Sequence, residues 1–308
     1  MPPRTESESL SLYYAHGYNL MNPVCRIICG NPALRSYFEL KQAKADDAAI
    51  RVRQILVDGG LYGNTKATDL LGVDRDDVNA AFTGDASIQT NAFIAQFKKD
   101  APTQPLPAWQ VVHDHLLAGI YTELYGRLLD TWKDLENVKS ALHKLPQPDL
   151  GSGGKPTYII RGDSQGMIDY LDREVPDFKA AVANNTALPM ATAWTTNQPF
   201  STSSGDDLAA LAGRSMIWLI RVDPQTTEGR KGGAYLSEDE VLLPQDVRLA
   251  LKGMIVVGSS ADISHVDLSG IPHPDEVRAR METIYNTEGN SLKDKQVHFL
   301  LSEEEASA

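Results

Sequence analysis

The apolar positions divide the chain into two textures. Between residues 109 and 135, Val112, Leu116, Ile120, Leu124, Leu128 and Trp132 form an unbroken i+4 row, widened by Leu117, Tyr121, Tyr125 and Leu129. Residues four apart share one helix face, so this pattern predicts a long helix with a broad buried stripe. Pro102, Pro105 and Pro107 break the chain just before it, since proline cannot continue a helix. A second helix is predicted over 40–56, closed by Gly59-Gly60, and Asp74 is placed to cap a short helix through Val78 and Phe82. Residues 13–145 are therefore expected to form a helical region.

The period changes after the stretch 146–156, Pro-Gln-Pro-Asp-Leu-Gly-Ser-Gly-Gly-Lys-Pro, whose turn-forming residues predict a linker. Beyond it, short β-rich runs at 158–161, 216–222, 240–243, 254–257 and 297–301 predict strands. One helix is expected over 165–183, between the first two. A helical region followed by a strand-rich core over 157–302 reads as an α+β fold. The polar, Ser-rich residues 1–12 are expected to be a disordered leader, and the acidic residues 303–308 a frayed tail.

Composition narrows the class. With 42% hydrophobic and 23% charged residues in 308, the chain can bury a sizeable core. The formal charge of −12 argues against nucleic acid as a partner, because phosphate-backbone affinity needs clustered Lys and Arg; a basic protein partner fits better. No apolar run approaches the ~20 residues that span a bilayer, so no membrane partner is expected. Cys25 and Cys29, one helical turn apart, suit a helix core and a reducing compartment better than a disulfide framework or a zinc site.

Several motifs fail on inspection. Gly151-Ser-Gly-Gly-Lys resembles a phosphate loop, but Asp149 stands where its first glycine belongs, Pro156 replaces the hydroxyl residue, and a strand follows rather than a helix. The calcium-loop hint at Asp74 and Asp76 has Asn79 in place of the essential glycine. His113 and His115 would lie about 200° apart on a helix, too far round to share a metal, and both are expected at the surface. No Gly-x-Gly-x-x-Gly follows a predicted strand, so a Rossmann-type dinucleotide site is not supported.

The most informative stretch is 233–244, in which Glu238 and Glu240 lie two apart before Val241-Leu242-Leu243-Pro244. In a strand, residues i and i+2 share a face, so both acids can enter one cleft. Two carboxylates suit cleavage of a glycosidic bond, where one stabilises a cationic sugar and the other manages a proton. Upstream lie a strand ending in Arg161-Gly162, from 157–162, and the hydroxyl cluster Phe200-Ser201-Thr202-Ser203.

Strand-Arg, then Ser-Thr-Ser, then Glu-x-Glu before an apolar run resembles the Arg-Ser-Glu class of mono-ADP-ribosyltransferases, which includes cholera-toxin-like toxins and bacterial effectors. The resemblance covers roughly residues 150–302. It implies a mixed β-sandwich core that uses NAD as co-substrate and no metal. It further implies that Arg161 anchors the phosphate side of NAD, with Gly162, Phe200, Thr202 and Ser203 also at the cofactor. Ser201 would brace Glu240, Glu240 would stabilise the oxocarbenium ion, Glu238 would prepare the acceptor, and Tyr235 would face that acceptor. Glu at 238 resembles the arginine-modifying subclass. Threonine modification, with ubiquitin or actin as candidate targets, stays open because the loop 226–237 is shorter than in the toxins. The helical region would flank the NAD cleft or recognise the target. Residues 1–9 lack the charged n-region and apolar core of a secretory signal, and with the resemblance this leads to an expectation of release by a bacterium without a classical signal peptide and action on a host protein in the host cytosol. An NAD glycohydrolase and a non-catalytic adaptor of the same fold are the alternatives.

Overall fold

The computed structural model describes residues 4–39, 45–58, 60–163, 165–175, 187–205, 214–232, 239–258, 263–287, 292 and 296–305. The chain divides into two compact units, Met1–Leu142 and His143–Ala308.

The first unit is helical: α1 (Glu6–Leu12), α2 (Tyr18–Cys29), α3 (Pro32–Glu39), α4 (Ala45–Asp58), α5 (Thr65–Leu71), α6 (Arg75–Thr83), α7 (Ser87–Asp100) and α8 (Trp109–His143). The predicted row on α8 is largely buried at Val112, Ile120, Leu124, Leu128 and Trp132, and the helix runs on to bury Leu135, Val138 and Leu142. Each such side chain contributes about 1.5–3 kcal/mol by leaving water. Asp74 caps α6 as expected, its carboxylate accepting the Asp76 N–H. Of the helix expected over 40–56, residues 40–44 lie outside the described residues.

Two expectations for this unit are corrected. Glu6–Leu12, assigned to a disordered leader, is a helix. Thr5 Oγ1 accepts the Glu8 N–H and the Glu8 carboxylate accepts the Thr5 N–H, a reciprocal cap that satisfies otherwise orphaned donors. Buried Asp134 of α8 holds this helix from below: Ser9 Oγ donates to it at 2.8 Å and Arg4 pairs with it. His113, expected at the surface, is buried, and its Nε2 accepts the Ala86 N–H at 3.0 Å where α7 begins. Among the described residues, no helix is long and apolar enough to cross a membrane.

The second unit is built on strands: β1 (Thr157–Asp163), β2 (Leu188–Thr195), β3 (Phe200–Ser203), β4 (Met216–Val222), β5 (Arg230–Lys231), β6 (Glu240–Leu243), β7 (Arg248–Val257) and β8 (Val297–Glu304). Two helices accompany them, α9 (Gln165–Glu174) and α10 (Pro274–Asn286). The strand order is β2-β7-β8-β4-β1-β3-β6-β5. β4 and β8 run parallel and the other pairs antiparallel, so the sheet is mixed and the fold α+β. β1 and β3 share one ladder position, Ile160 opposite Ser203, where the three-strand segment β3-β6-β5 departs from the other five.

The sheet folds over itself. Trp194 of β2, at one edge, packs edge-on to Phe200 of β3, with ring centroids 5.6 Å apart. Trp218 of β4 sits 5.2 Å from both rings. Ile159, Val241, Leu243, Leu249 and Leu251 complete this inner core. The other face carries Ile160, Ile217, Leu219 and Phe299 and is covered by Val277, Met281 and Ile284 of α10. Thr196 fastens the closure. Its N–H donates to Val247 O, its hydroxyl to Pro244 O, and its carbonyl accepts the Asp246 N–H. Strands β2, β3 and β5 and helix α10 went unpredicted: β3 is four residues and β5 two, and β2 carries Pro189, a residue disfavoured within sheets.

The 146–156 stretch belongs with this unit. Pro146 O accepts the Lys231 N–H at 3.1 Å, and Leu150 packs on the inner core. Nor are Glu303–Glu305 frayed. Glu303 pairs with Arg221 at 2.9 Å and Glu305 with Arg248. Glu304 accepts from Thr227 Oγ1 and the Glu228 N–H, both at 2.6 Å. Burial raises the Glu304 carboxyl above its ordinary range, against these hydrogen bonds. A carboxyl whose pKa is raised by folding favours the folded state while protonated, and that contribution is lost as pH rises through the folded pKa. Glu304→Gln should therefore gain stability relative to wild type between about pH 4 and about pH 7; melting temperatures at the two pH values check this, and a constant difference would refute it.

Candidate active site

The site grows from the end of β1. Alternation along that strand puts Ile159, Arg161 and Asp163 on one face, the face of the inner core. Arg161 lies opposite Trp218 in the β1–β4 register. Its Nε donates to Asp163 Oδ2 at 2.8 Å and its Nη2 to Asp163 Oδ1 at 3.1 Å. The guanidinium centre stands 4.2 Å above the Phe200 ring, a stacking that suits the ring's negative face. A third donor, Nη1, reaches Ser201 O at 3.0 Å.

Ser201 turns the other way. Phe200 and Thr202 share parity with the inner core, so Ser201 and Ser203 project from the opposite side of β3. In β6 the same alternation sends Val241 and Leu243 inward and leaves Glu240 with the serines. Ser201 is paired with Leu242 and Ser203 with Glu240, so Ser201 and Glu240 are diagonal neighbours. Ser201 Oγ donates to Glu240 Oε1 at 2.6 Å. The exposed serine thus joins the arginine, through its carbonyl, to a carboxylate residue only 9% exposed, through its hydroxyl.

Of the expected cofactor residues, Arg161 keeps its side chain 21% exposed. Gly162 continues the β1–β4 ladder opposite Ile217. Three others are occupied by the fold. Phe200 is fully buried between Trp194 and Trp218 and supports the guanidinium instead of lining open space. Thr202 is buried and donates to Val241 O at 2.6 Å. Ser203 is buried, its hydroxyl accepting the Gly205 N–H at 3.0 Å. Glu238 and Tyr235 lie outside the described residues. Among the described residues, no group of three or more His, Cys, Asp or Glu side chains is placed to hold a metal ion.

Motif reading missed three residues. Asp163 and Trp218 support Arg161, the indole Nε1 donating to Asp163 Oδ2 at 3.1 Å; the i+2 spacing of Asp163 was the available signal. Gly232 lies against Glu240, its N–H donating to Glu240 O at 2.9 Å. A Cβ on Gly232 would fall 2.2 Å from Glu240 Oε2 and 2.8 Å from its Cβ.

No family model matches the sequence, and no curated protein matches it either. Solved structures with a similar arrangement include the C-terminal toxin domain of RHS2 from Yersinia entomophaga, 10% identical with a TM-score of 0.43, covering 71% of this chain and 93% of that one. Plx2a, an ADP-ribosyltransferase toxin from Paenibacillus larvae, is 13% identical with a TM-score of 0.36 and covers 57% and 72%. C3stau2 from S. aureus, solved with NAD, is 16% identical with a TM-score of 0.34 and covers 58% and 72%. These likenesses are distant.

Gly232→Ala should drive the Glu240 carboxylate off Ser201 and cost about 1–3 kcal/mol, the usual toll of overfilling a packed site. Denaturant unfolding measures this, and wild-type stability in the variant would show that the strand has room to give.

Proposed function

We propose that the second unit is a mono-ADP-ribosyltransferase that takes ADP-ribose from NAD and transfers it to a side chain of a host protein. The supporting observation is the double engagement of Ser201, which ties a fixed guanidinium to a nearly buried carboxylate. Arginine's planar fork matches phosphate oxygens, so Arg161 takes the pyrophosphate side. Glu240, oriented by Ser201, provides negative charge where the sugar becomes cationic.

In this scheme the bond between C1′ of the ribose and the nicotinamide nitrogen breaks. The nitrogen keeps the bonding pair and leaves as neutral nicotinamide. An acceptor nitrogen or oxygen then bonds C1′ and gives up its proton, for which Glu238 is the proposed recipient. Tyr235 is proposed to face that acceptor. Arginine is the acceptor by default, with threonine as the second chemistry and ubiquitin or actin among the proteins to test. The toxin class of the resemblance supports a bacterial effector that acts on a host protein in the host cytosol.

Purified protein, a labelled NAD analogue and host-cell lysate test the reading. A discrete labelled band is expected, with Glu240→Gln lowering the transfer rate by about 10²–10³, the usual loss when a stabilising charge is removed. Free nicotinamide without a band would instead favour an NAD glycohydrolase. NAD binding with neither product would favour an adaptor. Glu238→Ala should abolish transfer while leaving NAD hydrolysis largely intact, as followed by parallel assays of label and nicotinamide.

A further inference from the structure

We infer that Asp163, anchored by Trp218, is a positioning residue that fixes Arg161 for a ligand carrying a pyrophosphate. The identity of that ligand as NAD rests on the transferase reading above; the positioning itself rests on the geometry of the three side chains.

A guanidinium carries five N–H donors in one plane. Asp163 takes the side-on edge, accepting from Nε and Nη2, and Ser201 O accepts from Nη1. Among the described residues these contacts leave one N–H on each terminal nitrogen. A pair of terminal N–H groups is the fork that grips two oxygens of one phosphate. The Phe200 ring lies beneath the plane, so the side chain is held from below, along one edge and at one terminal nitrogen. A free arginine at a strand end would have to surrender its rotamer freedom when the ligand arrives. Here the fold has already removed that freedom, which is how preorganisation raises affinity.

Asp163 could instead be a competitor that a ligand phosphate displaces. Its surroundings oppose this. The side chain is 13% exposed, and the same Oδ2 that accepts from Arg161 Nε also accepts from the Trp218 indole. Trp218 is fully buried. Swinging Asp163 away would strand that indole N–H without water, which is costly. The carboxylate is therefore a fixed wall of the site, and the arginine leans on it.

The test compares wild type with Asp163→Asn, which keeps the shape and an acceptor for the indole but removes the charge. Three ligands are titrated by calorimetry: NAD, inorganic pyrophosphate and nicotinamide. The variant should bind NAD and pyrophosphate about tenfold more weakly, the scale of a lost charge-assisted hydrogen bond, and nicotinamide unchanged. Equal weakening for all three ligands would indicate a general structural defect and overturn the proposal. Unchanged or tighter pyrophosphate binding would also overturn it, and would make Asp163 a competitor. Wild type that binds pyrophosphate but not NAD would sink the transferase reading alone, with the pyrophosphate comparison still deciding the role of Asp163. Wild type that binds neither would overturn both. Should Asp163→Asn fail to fold, Trp218→Phe keeps the carboxylate and removes only its anchor; the same pattern is expected at smaller size, and its absence would overturn the proposal.

Discussion

Ser201 is the point on which the site depends, because one residue satisfies two groups that would otherwise be independent. Its carbonyl accepts from Arg161 and its hydroxyl donates to Glu240. The first bond belongs to the backbone of β3 and the second to a side chain on the opposite strand face. A twist or slip of β3 would therefore disturb both at once. Pairing of β3 with β6 across all four of its residues and the buried Thr202–Val241 bond resist such a slip.

That register depends in turn on the closed sheet. Phe200 anchors β3 in the inner core against Trp194 and Trp218, which come from the edge strand β2 and from β4, two strands away from β3. The same ring carries the guanidinium on one of its faces. Hydrophobic packing and support of the guanidinium thus share one aromatic side chain. Bringing a carboxylate close to burial beside a strand end is normally unfavourable. Here the hydroxyl of Ser201 and the missing side chain of Gly232 make room for it.

Charged chain ends follow the same logic. Residues that look solvated in isolation find partners far along the sequence. Arg4 meets Asp134, Glu303 meets Arg221, and Glu304 accepts from the segment that begins at Thr227. That segment leads through Arg230 and Lys231 of β5 to Gly232, beside Glu240. The last strand thereby braces the stretch that borders the site.

Periodicity alone determined the long helix α8, the strands β1, β4, β6 and β8, and the split into a helical and a strand-rich part. These elements carry their own apolar pattern over enough residues for geometry to follow from spacing. The order Arg161, Ser201, Glu240 was read from short motifs that resemble a known family, and not from periodicity. Tertiary structure decided the rest. Phe200 and Thr202 were expected at the cofactor, yet strand parity and closure of the sheet turn them into the core. Asp163, Trp218 and Gly232 have no motif to mark them, because their roles exist only once β1, β4 and β6 are assembled. β3 is too short to declare itself and β2 is masked by Pro189, and both become strands because neighbouring strands offer their backbone groups hydrogen bonds. Spacing along a chain reports what a segment can do by itself; which distant segment completes it is settled by packing.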